Sequence, residues 1–380
     1  MYVASYISHD PMQRSLNRVI QIAVLAASLC CCGRVNPSVD PIAVADLSFD
    51  GLPGKALGAT VAFASEDLIA IGRHSGIDVN LSGALSTVQW KEGKLRFLKT
   101  KSLSKYRSFR GGLFRATDGR FISNLVRPPQ LLSPDLSPIT DITDIPAMSF
   151  VPPVEGGNVA GDSDLRRWKI YRLTPTMALL RQGTGQLLSL SDDLLVFRAN
   201  DEIRIESITG QHLGSFTVLP QSTTVPLRPT CSANVLLLGH DRLYLNGCGP
   251  GRVVDFSGKT TVQVPEPDGW GFRYRLTADG RRLLFDNYTR RLSAFQRMAE
   301  SVERKITFGM APIVTSKGEI IRVVDTASGK ICFDLDSPDR PFGPEGEPHA
   351  DISPSGRFIA VTAADKLSIY SMPDTCSKNQ

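Results

Sequence analysis

The sequence lacks the short motifs that mark the common catalytic sites. It contains no Gly-x-Ser-x-Gly nucleophile elbow. It also contains no Gly-x-x-x-x-Gly-Lys-[Ser/Thr] phosphate-binding loop and no paired-histidine zinc motif. Histidine is scarce, with five in 380 residues, and His74, His212 and His240 are widely separated. We therefore assign no catalytic residue and no metal ligand from local sequence.

A strong charge of either sign is also missing. The net charge of +5 is spread along the chain, without the basic stripe that is typical of nucleic-acid-binding proteins. Lys and Arg do cluster in residues 99–110. We predict a solvated loop there, with contact to an anionic partner as the alternative. A nucleic-acid partner is not expected.

The N-terminal residues 1–32 have the layout of a secretory leader. Arg14 and Arg18 precede an apolar run over residues 19–29, which small residues follow. This run is shorter than the stretch of about 20 apolar residues that spans a bilayer. The sequence therefore predicts export to the periplasm or outer surface, and membrane contact only through the leader or a lipid anchor.

Three consecutive cysteines end this leader, and they resemble a bacterial lipoprotein box. Cys30 is the candidate lipidated residue, although Leu29 stands where such boxes carry Gly or Ala. Lipidation and plain cleavage both stay open, as does the choice between Met1 and Met12 as the start. Residues 33–40 form a predicted linker.

Pairs of short apolar segments joined by turn residues recur along the rest of the chain. Each pair indicates a β-hairpin. The turns lie near residues 66, 118, 157, 192, 240, 279 and 355. A second turn follows in most units, at Ser82-Gly83, Asp135, Thr174-Pro175, Thr209-Gly210 and Ser257-Gly258. Four-stranded units with a period of roughly 40 to 50 residues predict an all-β, seven-bladed β-propeller over residues 41–376.

Two units depart from this pattern. The last unit, residues 349–375, has only three strands. We expect residues 41–49 to supply the fourth by pairing with residues 366–372, so that an N-terminal strand closes the last blade. The sixth unit carries an insertion at about 288–318, where apolar residues at helical spacing predict a short amphipathic helix. A degenerate eighth blade is the alternative.

The repeats resemble the WD40-like, quinoprotein-like propeller superfamily over about residues 42–374. The segment "HADISPSGRFIAV" is similar to the His and turn of such repeats, and "VVDTASGKICF" to a quinoprotein-type hairpin with Phe333 in place of Trp. No Trp-Asp pair occurs, and no pyrroloquinoline or other cofactor is expected. The leader followed by repeats is similar to exported bacterial propellers of no assigned function. This resemblance implies a shape rather than an activity.

Four cysteines remain beyond the leader. Cys231 and Cys248 bracket a hairpin, and a two-residue turn at Gly239-His240 would place them opposite each other. Facing positions in an antiparallel pair are close enough for a disulfide. Two unpaired thiols are the alternative. Cys332 and Cys376 are a second candidate pair, joining neighbouring blades near the point of ring closure.

An aromatic-rich segment, "DGWGFRYRLTADG", leads into the innermost strand of the sixth blade. Trp270, Phe272 and Tyr274 are therefore candidate ligand-binding residues at one mouth of the central channel. Packing between blades is the alternative.

Acidic residues and a histidine alternate in "EGEPHAD", just before the last blade. Glu345, Glu347, His349 and Asp351 could hold a metal on a strand, but Pro344 and Pro348 favour a loop. We expect a structural histidine there rather than a metal site.

The fold and the missing motifs together favour a monomeric binding or scaffold module with a protein or glycan partner. The alternative is a propeller enzyme of lyase, hydrolase or dehydrogenase type with a site at a channel mouth. Clustered carboxylates or His at a mouth would favour the enzyme.

Overall fold

The computed structural model describes most of the chain beyond residue 39. The described residues are 40–47, 58–75, 82–103, 112–116, 119–146, 149–154, 156–174, 176–218, 234–247, 250–267, 269–270, 273–290, 319–336, 349–363 and 366–376. The chain divides into two compact units, Met1–Val39 and Asp40–Gln380, and all described residues belong to the second. The leader with Cys30, the thiols Cys231 and Cys248, and residues 291–318 of the predicted insertion lie outside them.

The second unit consists of seven antiparallel sheets, which we number as blades 1 to 7. Blade 1 contains β2 (Gly58–Phe63), β3 (Leu68–Ser75), β4 (Ser82–Lys91) and β5 (Lys94–Leu103). Blade 2 contains β6 (Leu113–Arg115), β7 (Phe121–Ser123), β8 (Gln130–Leu132) and β9 (Pro138–Asp141). Blade 3 contains β10 (Phe150–Val151), β11 (Val159–Ser163), β12 (Arg167–Arg172) and β13 (Ala178–Thr184). Blade 4 contains β14 (Gln186–Leu190), β15 (Leu194–Ala199), β16 (Glu202–Ser207) and β17 (His212–Thr217).

The remaining blades follow the same order from the inner to the outer strand. Blade 5 contains β18 (Asn234–Leu238), β19 (Arg242–Asn246), β20 (Arg252–Asp255) and β21 (Thr260–Gln263). Blade 6 contains β22 (Gly269–Trp270), β23 (Arg273–Leu276), β24 (Arg282–Arg290), β25 (Glu319–Asp325) and β26 (Ile331–Asp336). Blade 7 contains β27 (His349–Ile352), β28 (Phe358–Ala363), β29 (Lys366–Ser371) and, from the start of the unit, β1 (Ala43–Asp46).

The strand β1 lies beside the last strand of the chain. It pairs antiparallel with β29, with Ala43 opposite Ile369 and Asp46 opposite Lys366. Leu47, which follows β1, is 1% exposed and packs with Ile369 and with Ile71 of blade 1. The recorded pairing covers residues 43–46 of the predicted strand over residues 41–49.

The core is divided into seven apolar clusters, one at each junction between adjacent blades. In β28, Ile359 and Val361 pack toward blade 6, whereas Ala360 packs toward blade 1. Both faces of such a strand are buried, which explains apolar runs without polar alternation. Each fully buried Leu, Ile or Phe contributes about 1.5–3 kcal/mol, so the junctions between blades hold the ring together.

The seven-bladed architecture confirms the fold class predicted from the turn spacing. All seven inner hairpin turns lie where the sequence indicates, and Gly280 shows why. Its φ is +65°, and a Cβ there would stand 2.8 Å from the backbone nitrogen of Gly239 in blade 5. A residue with a side chain would be strained by its backbone and blocked by its neighbour.

Two finer predictions are wrong. Ser82-Gly83 is not a turn but the start of the ten-residue strand β4, whose real turn is Glu92-Gly93. The Gly239-His240 turn is one residue longer than predicted, because Leu238 lies opposite Arg242. That register removes the geometric argument for a Cys231–Cys248 bridge, which stays a prediction from cysteine spacing.

The described residues contain no α-helix, and none of their segments is a helix long and apolar enough to span a membrane. The Cys332–Cys376 disulfide is present and links β26 of blade 6 to the segment after β29 of blade 7.

Candidate functional site

The inner ring of the propeller is crossed by two arginine side chains. Arg115 of blade 2 donates hydrogen bonds to the carbonyl oxygens of Leu276 in blade 6, at 2.5 Å, and Ile352 in blade 7, at 3.4 Å. Arg275 of blade 6 donates in the opposite direction, to the carbonyl oxygen of Leu113 at 2.9 Å. Blades 2 and 6 are not neighbours, so these bonds span the centre of the ring.

A buried carboxylate, Asp351 of β27, accompanies the two arginines. It accepts a hydrogen bond from the backbone N–H of Phe63 in blade 1 at 2.7 Å. Its Oδ1 lies 3.8 Å from Nε of Arg275. Burial raises the pKa of Asp351, and the positive charges of Arg275 and Arg115 act in the opposite direction. We call Arg115, Arg275 and Asp351 the inner charge cluster; it ties together blades 1, 2, 6 and 7.

Beside this cluster lies a second buried pair, Asp286 and His349. Asp286 accepts a hydrogen bond from the backbone N–H of Ala350 at 2.9 Å. Its other oxygen is 3.6 Å from Nδ1 of His349. The pair joins β24 of blade 6 to β27 of blade 7. An Asp–His pair can orient an imidazole for proton transfer. This pair is therefore the candidate for acid–base chemistry in the described site.

The sequence left a metal site in residues 345–351 as an alternative. The part of the chain that the structure describes contains no set of ligands for it. No group of three or more His, Cys, Asp or Glu residues there could hold a metal ion. His349 and Asp351 belong to the strand β27, and each contacts a residue in a neighbouring blade. Glu345 and Glu347 lie outside the described residues.

A polar pocket of about 330 Å³ opens between blades 6 and 7. It lies at the turns that join β23 to β24, β25 to β26 and β27 to β28. Its lining combines three basic residues with three aspartates: Arg281, Arg282, Lys330, Asp279, Asp325 and Asp374. The disulfide residue Cys376 also borders it.

Several groups of this pocket have structural partners already. Arg282 donates to the carbonyl oxygens of Gly356 at 2.5 Å and Pro373 at 3.1 Å. Asp325 accepts bonds from the backbone of its own turn, including Ser328 at 2.7 Å. The pocket is therefore charge-balanced and largely used to hold turns together.

The predicted aromatic site is only partly described. Tyr274 does not stand alone at a channel mouth: its ring packs on Tyr244 at 5.5 Å and on Phe285 at 5.8 Å between centroids. Its hydroxyl accepts a hydrogen bond from Asn246 at 2.5 Å. These contacts join blade 6 to blade 5, and a ligand-binding role of Tyr274 stays a prediction. The side chains of Trp270 and Phe272 lie outside the described residues.

The outermost hairpin of blade 1 carries a concentration of positive charge that the sequence motifs did not single out. Lys91 lies opposite Lys94, Gln89 opposite Arg96, and Thr87 opposite Lys99. Paired residues share a face of the sheet, so Lys91, Lys94, Arg96, Lys99 and Lys101 all lie on one face. We call this the basic face of blade 1. The predicted loop at 99–110 is wrong in its first part, since residues 99–103 belong to β5.

Searches for relatives find similarity at the level of structure only. No family model and no curated protein sequence matches the chain. A chain of the "Mitotic Checkpoint Complex" crystal structure is 8% identical, with a TM-score of 0.50, covering 98% of this chain and 100% of that one. Sqt1 from Chaetomium thermophilum, bound to the N-terminus of the ribosomal protein L10, is 11% identical with a TM-score of 0.42, covering 88% and 100%. A protein from Lactobacillus plantarum is 12% identical with a TM-score of 0.42, covering 76% and 87%. The first likeness agrees with the seven sheets in showing a seven-bladed β-propeller fold.

Proposed function

We propose that this protein is an exported binding or scaffold module that holds a macromolecular partner at the outer surface of its propeller. The proposal rests on the observation that the side chains of the inner charge cluster bind backbone groups of the protein itself. Arg115 and Arg275 bind backbone groups of distant blades, and Asp351 binds the backbone of the adjacent blade 1. Side chains committed to such bonds stabilise a ring and leave little freedom for a substrate. Binding is then a task for the outer strands and the turns.

The proposed setting is the periplasm or cell surface, reached through the leader over residues 1–32. Lipidation at Cys30 is the proposed anchor. It is tested by expressing the full chain and a Cys30→Ala variant in a bacterium and following incorporation of labelled palmitate. Labelling that survives the substitution would contradict an anchor at Cys30. The protein is proposed to act as a monomer, with a protein rather than a glycan as the first candidate partner. A similar fold in a multi-protein assembly, the Mitotic Checkpoint Complex, accords with a scaffold role.

We also propose that β1 closes the ring of blades. Its register with β29 and the burial of Leu47 support this role. The amphipathic helix in the insertion of blade 6 stays a prediction and would add a further contact surface.

A propeller enzyme is the second candidate, and the buried Asp286–His349 pair favours it. The two proposals separate in one experiment. A photo-crosslinking residue is placed at exposed outer-strand positions of the full chain, with His349 intact or changed to Asn. A scaffold gives a discrete cross-linked partner in both backgrounds. No cross-link at any blade, together with a turnover of small esters or glycosides that disappears in His349→Asn, would overturn the scaffold proposal.

A further inference from the structure

The outer hairpin of blade 1, β4 and β5, is the longest of the described outer hairpins. Both of its strands have ten residues, whereas the outer strands of the other blades have four to seven. One face of the hairpin is apolar and fixed in place. Trp90 packs edge-on against Phe358 of blade 7 at 5.7 Å, and Leu95 and Phe97 pack in the same cluster. The hairpin is therefore held by a buried face rather than extended freely into solvent.

The opposite side is the basic face of blade 1. Lys99 lies 3.5 Å from Asp135 of blade 2, and Lys101 donates to the carbonyl oxygen of Leu136. Beyond this contact with the neighbouring blade, the face continues toward the tip of the hairpin for about 13 Å, since each residue of a strand advances about 3.3 Å. Lys91, Lys94 and Arg96 occupy this overhanging part.

These three residues are exposed, and none has an ion pair among the described residues. Lys91 and Lys94 face each other directly, a position in which Cβ atoms stand about 5 Å apart and like charges destabilise a sheet. The overhanging part of this face gathers like charges that have no ion pair among the described residues, and it is complementary to an acidic partner.

The backbone of β5 adds a second feature. β5 is the outermost strand of its sheet, and no other described strand pairs with its free edge. An edge of this kind offers alternating N–H and C=O groups that an extended peptide can match in register. Lysine on the edge keeps a second copy of β5 away, because it would place like charges opposite each other. An acidic strand meets no such repulsion.

We propose that blade 1 binds an extended acidic segment of a partner protein, added to the free edge of β5. Its carboxylates face Lys94 and Arg96, and its alternate residues are apolar, because Leu95 and Phe97 lie half-buried on the other face. This inference rests on the proposed function and names its partner class and its surface.

The test measures binding of a fluorescent peptide, as long as β5, that alternates Glu and Val. The full chain is compared with a Lys91→Gln/Lys94→Gln/Arg96→Gln variant. The matched control removes three exposed charges from blade 3, Arg166→Gln/Arg167→Gln/Lys169→Gln. We expect the blade 1 variant to bind about tenfold or more weakly, as when several interfacial charge pairs are lost. The control should change affinity by less than about twofold, and salt should weaken binding to the wild type.

Two further probes separate charge from strand pairing. A peptide with Gln in place of Glu should bind weakly, and so should a Glu peptide whose alternate backbone nitrogens are methylated. Equal binding of the Gln peptide, or an unchanged affinity of the blade 1 variant, would overturn the basic face as the site. Equal binding of the methylated peptide would overturn strand addition.

The last part of the test uses other anionic ligands in place of the peptide. Phosphatidylglycerol vesicles or a sulfated polysaccharide that bind through Lys91, Lys94 and Arg96, while the Glu peptide does not, would overturn the choice of a protein partner. Cross-linking of a partner through another blade would leave the scaffold function standing and defeat only the inference about blade 1.

Discussion

The charges at the centre of the propeller differ in their bonding from the charges on the outer hairpin of blade 1. In the centre, Arg115 and Arg275 are bonded to backbone groups of distant blades, and Asp351 to the backbone of the adjacent blade 1. On the hairpin, Lys91 and Lys94 face each other, exposed and without ion pairs among the described residues. Charges of the first kind stabilise the fold, whereas those of the second kind repel each other and reduce stability slightly.

The difference shows where function is to be sought in a propeller without catalytic motifs. The guanidinium groups of Arg115 and Arg275 already hold carbonyl partners in other blades. The guanidinium of Arg96 is exposed on the outer hairpin and has no ion pair among the described residues. The two regions should therefore respond differently to the same kind of substitution.

The largest effect is expected from Asp351→Ala in the centre. The change leaves Arg275 and Arg115 without their carboxylate and the N–H of Phe63 without an acceptor. Removing one partner of a buried charge pair typically costs about 3–5 kcal/mol of unfolding free energy, which urea denaturation can measure. Asp351→Asn, which keeps an acceptor, should lose less. A loss below about 1 kcal/mol, the level of an exposed pair, would show that the inner charge cluster does not hold the ring.

Removal of residues 41–49 should come next. The deletion exposes the edge of β29 and leaves a cavity at the buried Leu47. Loss of one buried leucine alone costs about 2–5 kcal/mol. The same denaturation experiment on a chain without residues 33–39 provides the control, which should match the wild type. An unchanged unfolding free energy after deletion of 41–49 would contradict closure by β1.

The disulfide between blades 6 and 7 should contribute somewhat less. Cys332 and Cys376 are 44 residues apart in sequence. Closing a loop of this size stabilises a fold by about 2–4 kcal/mol, mainly through the unfolded state. The double variant Cys332→Ser/Cys376→Ser should lose that amount in urea denaturation without reductant. Equal stability of the double variant and the wild type would contradict the prediction.

A smaller, pH-dependent effect is expected at Glu266, which accepts a hydrogen bond from Tyr244. Burial raises the pKa of Glu266 above its ordinary value of 4.5. A raised folded-state pKa means that the stabilising contribution is complete below pH 4.5 and is lost as the pH rises through the folded pKa. The unfolding free energy of wild type relative to Glu266→Gln should therefore fall with rising pH. A difference that grows with pH would reverse the sign and contradict a raised pKa.

Much of the fold could be predicted because propeller turns have recognisable chemistry. The Thr277–Arg282 turn shows it, with Asp279 accepting from the backbone of Arg281 at 3.0 Å and Gly280 at positive φ. Ser82-Gly83 also consists of small, turn-favouring residues, but it begins the long strand β4, where strand pairing outweighs local preference.

The sites were harder to predict, for two different reasons. Arg115 and Leu276 are 161 residues apart, so only the closed ring brings them together. The basic face of blade 1 does have a local signal in Lys94, Arg96, Lys99 and Lys101. Leu98 forms a β-bulge between Phe97 and Lys99, and this extra residue changes the alternation that a simple count relies on.

The central claim, that inner charges hold the ring and outer charges bind the partner, is tested most directly by a matched pair of substitutions. Arg115→Met and Arg96→Met remove the same group from the two regions. Unfolding free energy and affinity for the Glu-Val peptide are measured for both variants. We predict that Arg115→Met lowers the unfolding free energy and leaves the affinity of the folded protein unchanged, whereas Arg96→Met lowers the affinity and leaves stability unchanged. Loss of both properties in one variant, or of neither in Arg96→Met, would contradict this division.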